Sequence, residues 1–573
     1  MASTEDSSGA LSAFDFLTGL GFLKQLPGFL KKPWRLEEAK ATLAGRFEQR
    51  AANFLQAVKH LIFEYPDSPY QKLLDLAGCE FGDIVRLVEE NGLEGALERL
   101  YRAGVYLTVE EFKGRRPAVR GGQVIPVSPS LLLNPLTRVQ VAMKSGGSRS
   151  PGTPVFFDLS FIRDCALDTG LALHGRGGDN WRKATWEVPG GGALFSLLEF
   201  SQFGRPPARW FSQLDPGRKG LHPRYRWSGR ALRWGGRLAG KAMPEAEHIP
   251  LEDALPIARW MAKTVKNGET PYLLTYPSSA LRVCQAALEA GVSLKGGQMT
   301  IAGEPCTEAR LKAIRRAGAA VLPKYGIMET GPVGYGCLRP NLSDDIHLLT
   351  DLHAIIQAKT RGGPAVLPPN SILFSTLMIT APLVLLNVSM GDQASLERRA
   401  CGCPLERMGW TTHIHTIQSY EKLTCGGMNF LDADVARVLD EVLPARFGGG
   451  PTDYQLLEEE KEDGRPELRL LIHPRLGPLD EQGVIGSFFQ GIGRSGGANE
   501  VMGLAWQEGK LLKVERRPPL STPSGKILHL HVQAPAGGSV GQKPGLGPEA
   551  GFSGEGGAIP DAGRAGQAEG KTP

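Results

Sequence analysis

Residues Thr300–Pro340 read TIAGEPCTEARLKAIRRAGAAVLPKYGIMETGPVGYGCLRP, and this stretch decides how the rest of the chain is organised. A short apolar strand ends in the turn Ala302-Gly303-Glu304-Pro305. Thr307 is placed to cap a helix, its hydroxyl accepting from a backbone N–H that the helix leaves unpaired. Leu311, Ile314 and Ala317 lay one apolar stripe along that helix, spaced to rest on a sheet. A second strand, Ala319 to Pro323, delivers a tight loop, Tyr325-Gly326-Ile327-Met328-Glu329-Thr330-Gly331. Loops at the carboxyl ends of neighbouring parallel strands are where open α/β sheets bind ligands.

The whole chain sets bounds around that core. Its 573 residues exceed what one core holds, so two or more domains are expected. The net charge of +5 is small for this length and makes no case for nucleic acid, while a mildly basic surface suits an anionic nucleotide. No run of eighteen apolar residues occurs, so no membrane span is expected. Glu5 and Asp6 stand where a secretory signal would need basic residues. Eight cysteines in so long a chain do not make a disulfide scaffold, which points to a reducing cytoplasm.

Gly303-Glu304-Pro305 followed by Tyr325-Gly326-x-x-Glu329 resembles the nucleotide site of the adenylate-forming acyl ligases, the superfamily of acyl-CoA synthetases, peptide-synthetase adenylation domains and luciferase. Without that resemblance the stretch is an ordinary βαβ unit with glycine turns. Three more segments follow in the family's order. The first is VQVAMKSGGSRSPGTPVFFD, residues 139–158, a β-branched strand entering a loop of Ser, Gly, Thr and Pro. Glycines let backbone N–H groups approach phosphate oxygens, and hydroxyls add donors. Ser145, Gly146, Ser148, Gly152 and Thr153 match the family's phosphate loop, although this loop is longer and no Lys follows Pro154. The phenylacetate-CoA ligase branch also lacks that Lys, and its helical entry region resembles PYQKLLDLAG and the helices that follow. That branch is therefore the one this chain most resembles.

The second segment is Met390-Gly391-Asp392, after the apolar run Leu383 to Val388. It resembles the family's Thr-Gly-Asp, with the Thr missing, whose carboxylate accepts from both ribose hydroxyls. The third is PPLSTPSGKI, residues 518–527, which resembles the terminal motif that brings a catalytic lysine, here Lys526, to the reacting carboxylate. Between them QSYEKLTCGGMNFLDADVARVLDEVL, from Gln418, resembles the hinge into a small C-terminal domain, with Glu421 and Lys422 at the hinge.

Cys337 follows the Glu329 loop, His347 lies ten residues beyond, and Cys401-Gly402-Cys403 comes much later. Two thiolates one residue apart, with a Cys and a His from another loop, can make a four-ligand tetrahedral zinc set. The alternative is that these are small buried apolar residues. Similar cysteines and a histidine occur in the phenylacetate-CoA ligase branch, implying a structural zinc on Cys337, His347, Cys401 and Cys403. His353 is the rival for the histidine position.

The resemblance implies an α/β fold. A large N-terminal domain of mixed and parallel sheets with helices, 1–417, carries a helical entry region over 1–115. A small mobile α+β lid spans 418–534, and a disordered Gly/Pro-rich tail spans 535–573. Residues 1 to about 30 are loosely apolar and could form an amphipathic helix touching a membrane or partner, or simply pack on the domain. The implied activity is activation of a carboxylic acid by ATP to an acyl-adenylate, with transfer to a thiol, coenzyme A being the expected acceptor. Tyr325 and Gly303-Glu304-Pro305 would flank adenine, Gly326 would shape the loop, Asp392 would hold ribose, Glu329 would hold Mg²⁺ and Lys526 would act in catalysis. The family leaves room for a homodimer. One rival passes the acyl group to a protein thiol or carrier protein, with Cys425 as an internal candidate. Another is a non-enzymatic binding protein on a decayed ligase fold.

Overall fold

Strands joined by helices and strands joined by hairpins share one sheet in this protein. The structure is a computed structural model describing residues 13–138, 141–144, 154–188, 190–215, 224–358, 367–419, 424–425, 428–429, 432–460, 466–493, 512–522 and 525–533. All of these fall in one compact unit that ends at Gln533. The large sheet contains β1 (Arg182–Glu187), β2 (Arg209–Ser212), β3 (Ala246–His248), β4 (Pro271–Thr275), β5 (Gln298–Ala302) and β6 (Ala320–Ile327). It continues with β7 (Gly331–Gly336), β8 (Ile346–Leu348), β9 (His353–Gln357), β10 (Ser371–Thr376), β11 (Val388–Arg398) and β12 (Thr412–Ser419). Their spatial order is β9-β10-β11-β12-β8-β7-β6-β5-β4-β1-β2-β3.

From β3 to β6 every neighbouring pair is parallel. Each step along the chain there is bridged by a helix, such as Pro277–Glu289 between β4 and β5 or Glu308–Arg316 between β5 and β6. A parallel crossover needs that length of chain. From β6 onward every pair is antiparallel. The change falls on β6, the strand that ends in the Tyr325 loop, so the decisive stretch sits where the two halves of the sheet meet.

Thr307 caps the Glu308–Arg316 helix as the sequence predicts, its hydroxyl accepting from the Arg310 N–H at 3.4 Å. Leu311 and Ile314 bury against the sheet with Ile257, Leu273 and Val321. The predicted loop after Pro323 is shorter than expected. β6 runs on through Ile327 and turns back into β7, leaving Met328-Glu329-Thr330 as the turn. A register shift between Tyr325 and Gly326 lets the strand continue past the glycine. The apolar run Leu383–Val388 is not a strand leading to Asp392. Asn387 takes φ 52°, its amide donates to Leu97 O and Val105 O, and β11 starts only at Val388. Asp392 therefore lies within β11.

Entry-region helices pack on the antiparallel half, with Phe54, Leu97 and Phe112 against Ile355, Phe374 and Leu386. A second, smaller sheet contains β13 (Tyr454–Glu460), β14 (Pro466–Ile472), β15 (Leu512–Glu515) and β16 (Leu530–Gln533), in the order β15-β14-β13-β16. It has its own apolar core, with Val435, Leu439, Tyr454, Leu470 and Phe488. No described helix is long and apolar enough to cross a membrane. The hinge residues Glu421 and Lys422, the phosphate-loop residues Ser145, Gly146, Ser148, Gly152 and Thr153, and the tail 535–573 lie outside the described residues.

Candidate functional site

Two residues 67 positions apart in sequence meet at the end of β6. Tyr325 Oη donates to Asp392 Oδ2 at 2.7 Å. Burial, together with the Asp392 charge, pushes the Tyr325 phenol well above its usual range, so it stays a donor. A phenol ring thus lies beside a carboxylate, although β6 and β11, which carry them, are not neighbours in the sheet. The ring offers a flat apolar face, and a carboxylate has two oxygens that accept hydrogen bonds.

Lys526 reaches the same carboxyl edge from the small-sheet region. Its Nζ stands 4.8 Å from the centre of the Tyr276 ring, just beyond the end of β4. A Cβ placed on Gly303 would lie 2.8 Å from that Nζ. Gly303 has φ 81°, so both backbone conformation and space require glycine there. The loop that presents the lysine is held by short bonds: Thr522 N donates to Lys526 O at 2.8 Å, and Lys526 N donates to the Thr522 hydroxyl at 3.1 Å. Gly525 has φ 75°, and any side chain there would overlap Gln213 Oε1.

Three more charged residues gather behind this point. Burial pushes Glu187, at the end of β1, up to about 7, opposed by the charges of Lys324 and Lys526. Lys324 pairs with the fully buried Glu199 at 3.5 Å, and Thr169 donates to the other Glu199 oxygen at 2.8 Å. Glu187, Glu199 and Lys324 were not singled out by sequence reasoning. The one available signal was that each is an ionisable residue flanked by apolar ones in a strand or helix.

The Glu304 side chain is turned into the protein. Its side chain is fully buried and accepts from the Ser278 hydroxyl at 2.6 Å, the Ser278 N–H at 3.0 Å and the Ile527 N–H at 3.2 Å. Arg310 Nη1 donates to it at 2.8 Å. These four donors occupy both Glu304 oxygens. Arg310 also donates from Nε to Asp440 Oδ2 at 3.1 Å, and Thr307 donates to the same oxygen at 2.7 Å. His529 Nε2 stands 3.0 Å from Asp440 Oδ1. This buried chain of charges ties the β5–β6 connection to the small-sheet region on both sides of Lys526.

Glu329 is buried in the β6–β7 turn. It lines a small cavity with Thr330, His353, Ser375, Thr376 and Met378. A carboxylate with neighbouring hydroxyls is a donor set that suits Mg²⁺, which takes oxygen ligands and keeps phosphates and waters for the rest of its shell.

The four sequence-predicted metal ligands converge. Cys403 Sγ is 3.1 Å and Cys401 Sγ 3.6 Å from His347 Nε2. The donor atoms of Cys337, His347, Cys401 and His413 all lie within 4.8 Å of one another. His347 Nδ1 is held by Trp410 O at 2.7 Å, which aims Nε2 at the thiols. Burial pushes His347 down to about 4, leaving the neutral ring that a metal requires. His413 was missed in the sequence because it lies ten residues past the Cys-Gly-Cys, in a plain strand. Its Nδ1 bonds Asp345 at 2.7 Å, and its buried Nε2 finds no hydrogen-bond partner among the described residues. A carboxylate that orients an imidazole is a common support for a ligating histidine. His353, the rival, is not part of the group: its Nε2 bonds Pro332 O at 2.8 Å.

No family model and no curated protein matches the sequence. Among solved structures, the chain is similar to 2-hydroxyisobutyryl-CoA ligase in complex with its acyl-adenylate and CoA, at 13% identity and a TM-score of 0.41 over 88% of this chain and 91% of that one. It is also similar to the anthranilate CoA ligase AuaEII bound to anthranoyl-AMP, at 13% identity and a TM-score of 0.39 over 67% of this chain and 65% of that one. Apo MbtA from Mycobacterium smegmatis matches at 14% identity and a TM-score of 0.29 over 87% of this chain and 97% of that one. Superpositions this loose leave the functional reading to the site residues themselves.

Proposed function

We propose that the protein is an adenylate-forming ligase, joining a carboxylic acid to AMP from ATP and then passing the acyl group to a thiol, with coenzyme A as the acceptor. The observation that carries this reading is the meeting of three motifs remote in sequence: Tyr325 on Asp392, and Lys526 over Gly303. Asp392 binds the ribose hydroxyls, and the Tyr325 ring and the Gly303–Pro305 backbone flank the base. In the first step a substrate carboxylate oxygen attacks the α-phosphorus, the bond to pyrophosphate breaks, and pyrophosphate leaves. Negative charge grows on the phosphoryl and bridging oxygens, and the Lys526 ammonium offsets it from a fixed position. Glu329 would hold Mg²⁺, which when bound would supply neutralisation of phosphate charge. In the second step the thiol sulfur attacks the acyl carbon, AMP leaves, and the small-sheet region, acting as a lid, has withdrawn Lys526. The phosphate-loop sequence and the cysteine pattern favour the phenylacetate-CoA ligase branch of that superfamily. Its ATP and coenzyme A substrates fit a cytoplasmic setting.

Asp392→Ala tests the nucleotide assignment. Loss of charge-assisted bonds to a diol should weaken ATP binding by about 10- to 100-fold, read by calorimetry, with a fall in melting temperature because the buried Tyr325 hydroxyl loses its acceptor. Unaltered ATP affinity would remove Asp392 from the site.

The thiol and imidazole cluster fits a structural Zn²⁺. Cys337, His347, Cys401 and Cys403 are proposed as the ligands, with His413, oriented by Asp345, as the competitor for one position. Elemental analysis of protein purified without added metal should show about one zinc per chain, as a single closed site requires. Cys403→Ser should lose metal and melting temperature together. Metal-free protein with full activity and an unchanged melt would end the assignment.

A further inference from the structure

The helix Arg224–Leu238, RYRWSGRALRWGGRL, carries five arginines and no acidic residue. Among its described side chains, small residues and one leucine face inward. Leu232 is fully buried, Gly229 faces Trp210, and Gly236 faces Met243. Gly235 lies so close to Leu26 of the helix Ala13–Lys31 that a Cβ would overlap it. The outward face is of a different kind. Trp227 is 54% exposed, Trp234 63% and Leu238 64%. Positions 227, 234 and 238 fall on one line along the helix, about 16 Å from first to last. Arg230 and Arg237 are exposed along one side of that line. The Arg230 guanidinium stands 5.7 Å from the Trp227 ring centre. Farther round, Arg233 is drawn to Glu245 at 2.6 Å.

We propose that this face docks on the surface of an anionic lipid bilayer. A ridge of two indoles and a leucine has the apolar body and polar N–H that suit the headgroup boundary. Arginines beside the ridge, with no acid on the helix, are complementary to acidic headgroups. Leu20, on the helix Ala13–Lys31 that packs against this one, is also exposed, at 56%. A nucleic-acid surface would use the arginines but leave Leu238 without a partner. Nothing in this proposal depends on the ligase reading.

The test is co-sedimentation of the full-length protein with phosphatidylcholine vesicles, with and without about one third phosphatidylserine. Binding should occur to the anionic vesicles and weaken as salt rises. Trp227→Ala/Trp234→Ala should reduce the partition coefficient by about tenfold or more. Arg230→Gln/Arg237→Gln should reduce it by about fivefold per charge. Thermal melts and ATP affinity of both variants should match the native protein, which separates loss of docking from loss of fold. The proposal is overturned by absence of vesicle binding, equal binding to neutral vesicles, or binding untouched by both variants. It is equally overturned if the tryptophan variant abolishes a dimer seen by ultracentrifugation, or abolishes oligonucleotide binding, while vesicle binding stays unchanged.

Discussion

Lys526→Ala is expected to slow acyl-adenylate formation by about 10²–10³-fold, roughly 3–4 kcal/mol, the usual cost of losing one positioned electrostatic contact in a water-poor site. The same variant should turn supplied acyl-adenylate into thioester at close to the native rate, because interactions made in one transition state need not serve another. The expectation rests on how firmly the lysine is presented. Gly525 takes its φ of 75° without the strain a side chain would bring, and the Thr522 bonds close the loop behind Lys526. Tyr276 supports the ammonium from below at 4.8 Å. Single-turnover measurements of the two half-reactions make the comparison. An equal fall in both would mean that Lys526 supports the fold rather than the first transition state.

Arg310→Ala is expected to destabilise the protein by about 3–5 kcal/mol, the range found when one partner of a buried ion pair is removed. Arg310 is enclosed with Glu304 and Asp440, both fully buried, and its removal leaves two carboxylates without their shared cation. The second consequence concerns the lid. Glu304 accepts from the Ile527 N–H, one residue beyond the lysine, and Asp440 is near His529. Loosening this network should therefore also lower the rate of adenylation, more than it weakens ATP binding. Calorimetric melting reads the first effect and ATP affinity serves as the control. Arg310→Met/Asp440→Leu should recover part of the lost stability, since well-packed apolar replacements of a buried pair are often neutral. If Arg310→Ala melts like the native protein, the network does not hold the two regions together. Burial alone would push Asp440 up, but the His529 and Arg310 charges outweigh it and hold Asp440 below the usual carboxylate range. Its stabilising contribution is therefore present above that range and lost as pH falls through the depressed value.

The Thr300–Pro340 stretch was legible because its signals are local. Thr307 caps, Leu311 and Ile314 repeat at helical spacing, and glycine turns separate the strands. The convergence of Cys337, His347, Cys401 and Cys403 was legible because thiols and imidazoles in one chain order suggest a shared partner. Other features depended on distant parts of the chain. Whether His347 or His353 joins the thiols is settled by hydrogen bonds to Trp410 O and Pro332 O, which no spacing reveals. His413 needed its strand placed opposite β8 before it could be seen beside His347. The partners of the Glu304 side chain were not legible, because only the tertiary fold brings Arg310, Ser278 and Ile527 around it. The strand that carries Asp392 starts later than its apolar run suggested, because Asn387 bends the chain to satisfy two buried carbonyls.

The central claim is that this chain joins a carboxylic acid to AMP. Its most direct test is exchange of labelled pyrophosphate into ATP by the purified protein with Mg²⁺, across aryl, short-chain and long-chain acids. Exchange that depends on one class of acid and disappears in Asp392→Ala and Lys526→Ala is the predicted result. Absence of exchange with every acid, together with no ATP binding by calorimetry, would contradict the account and favour a binding protein built on this fold.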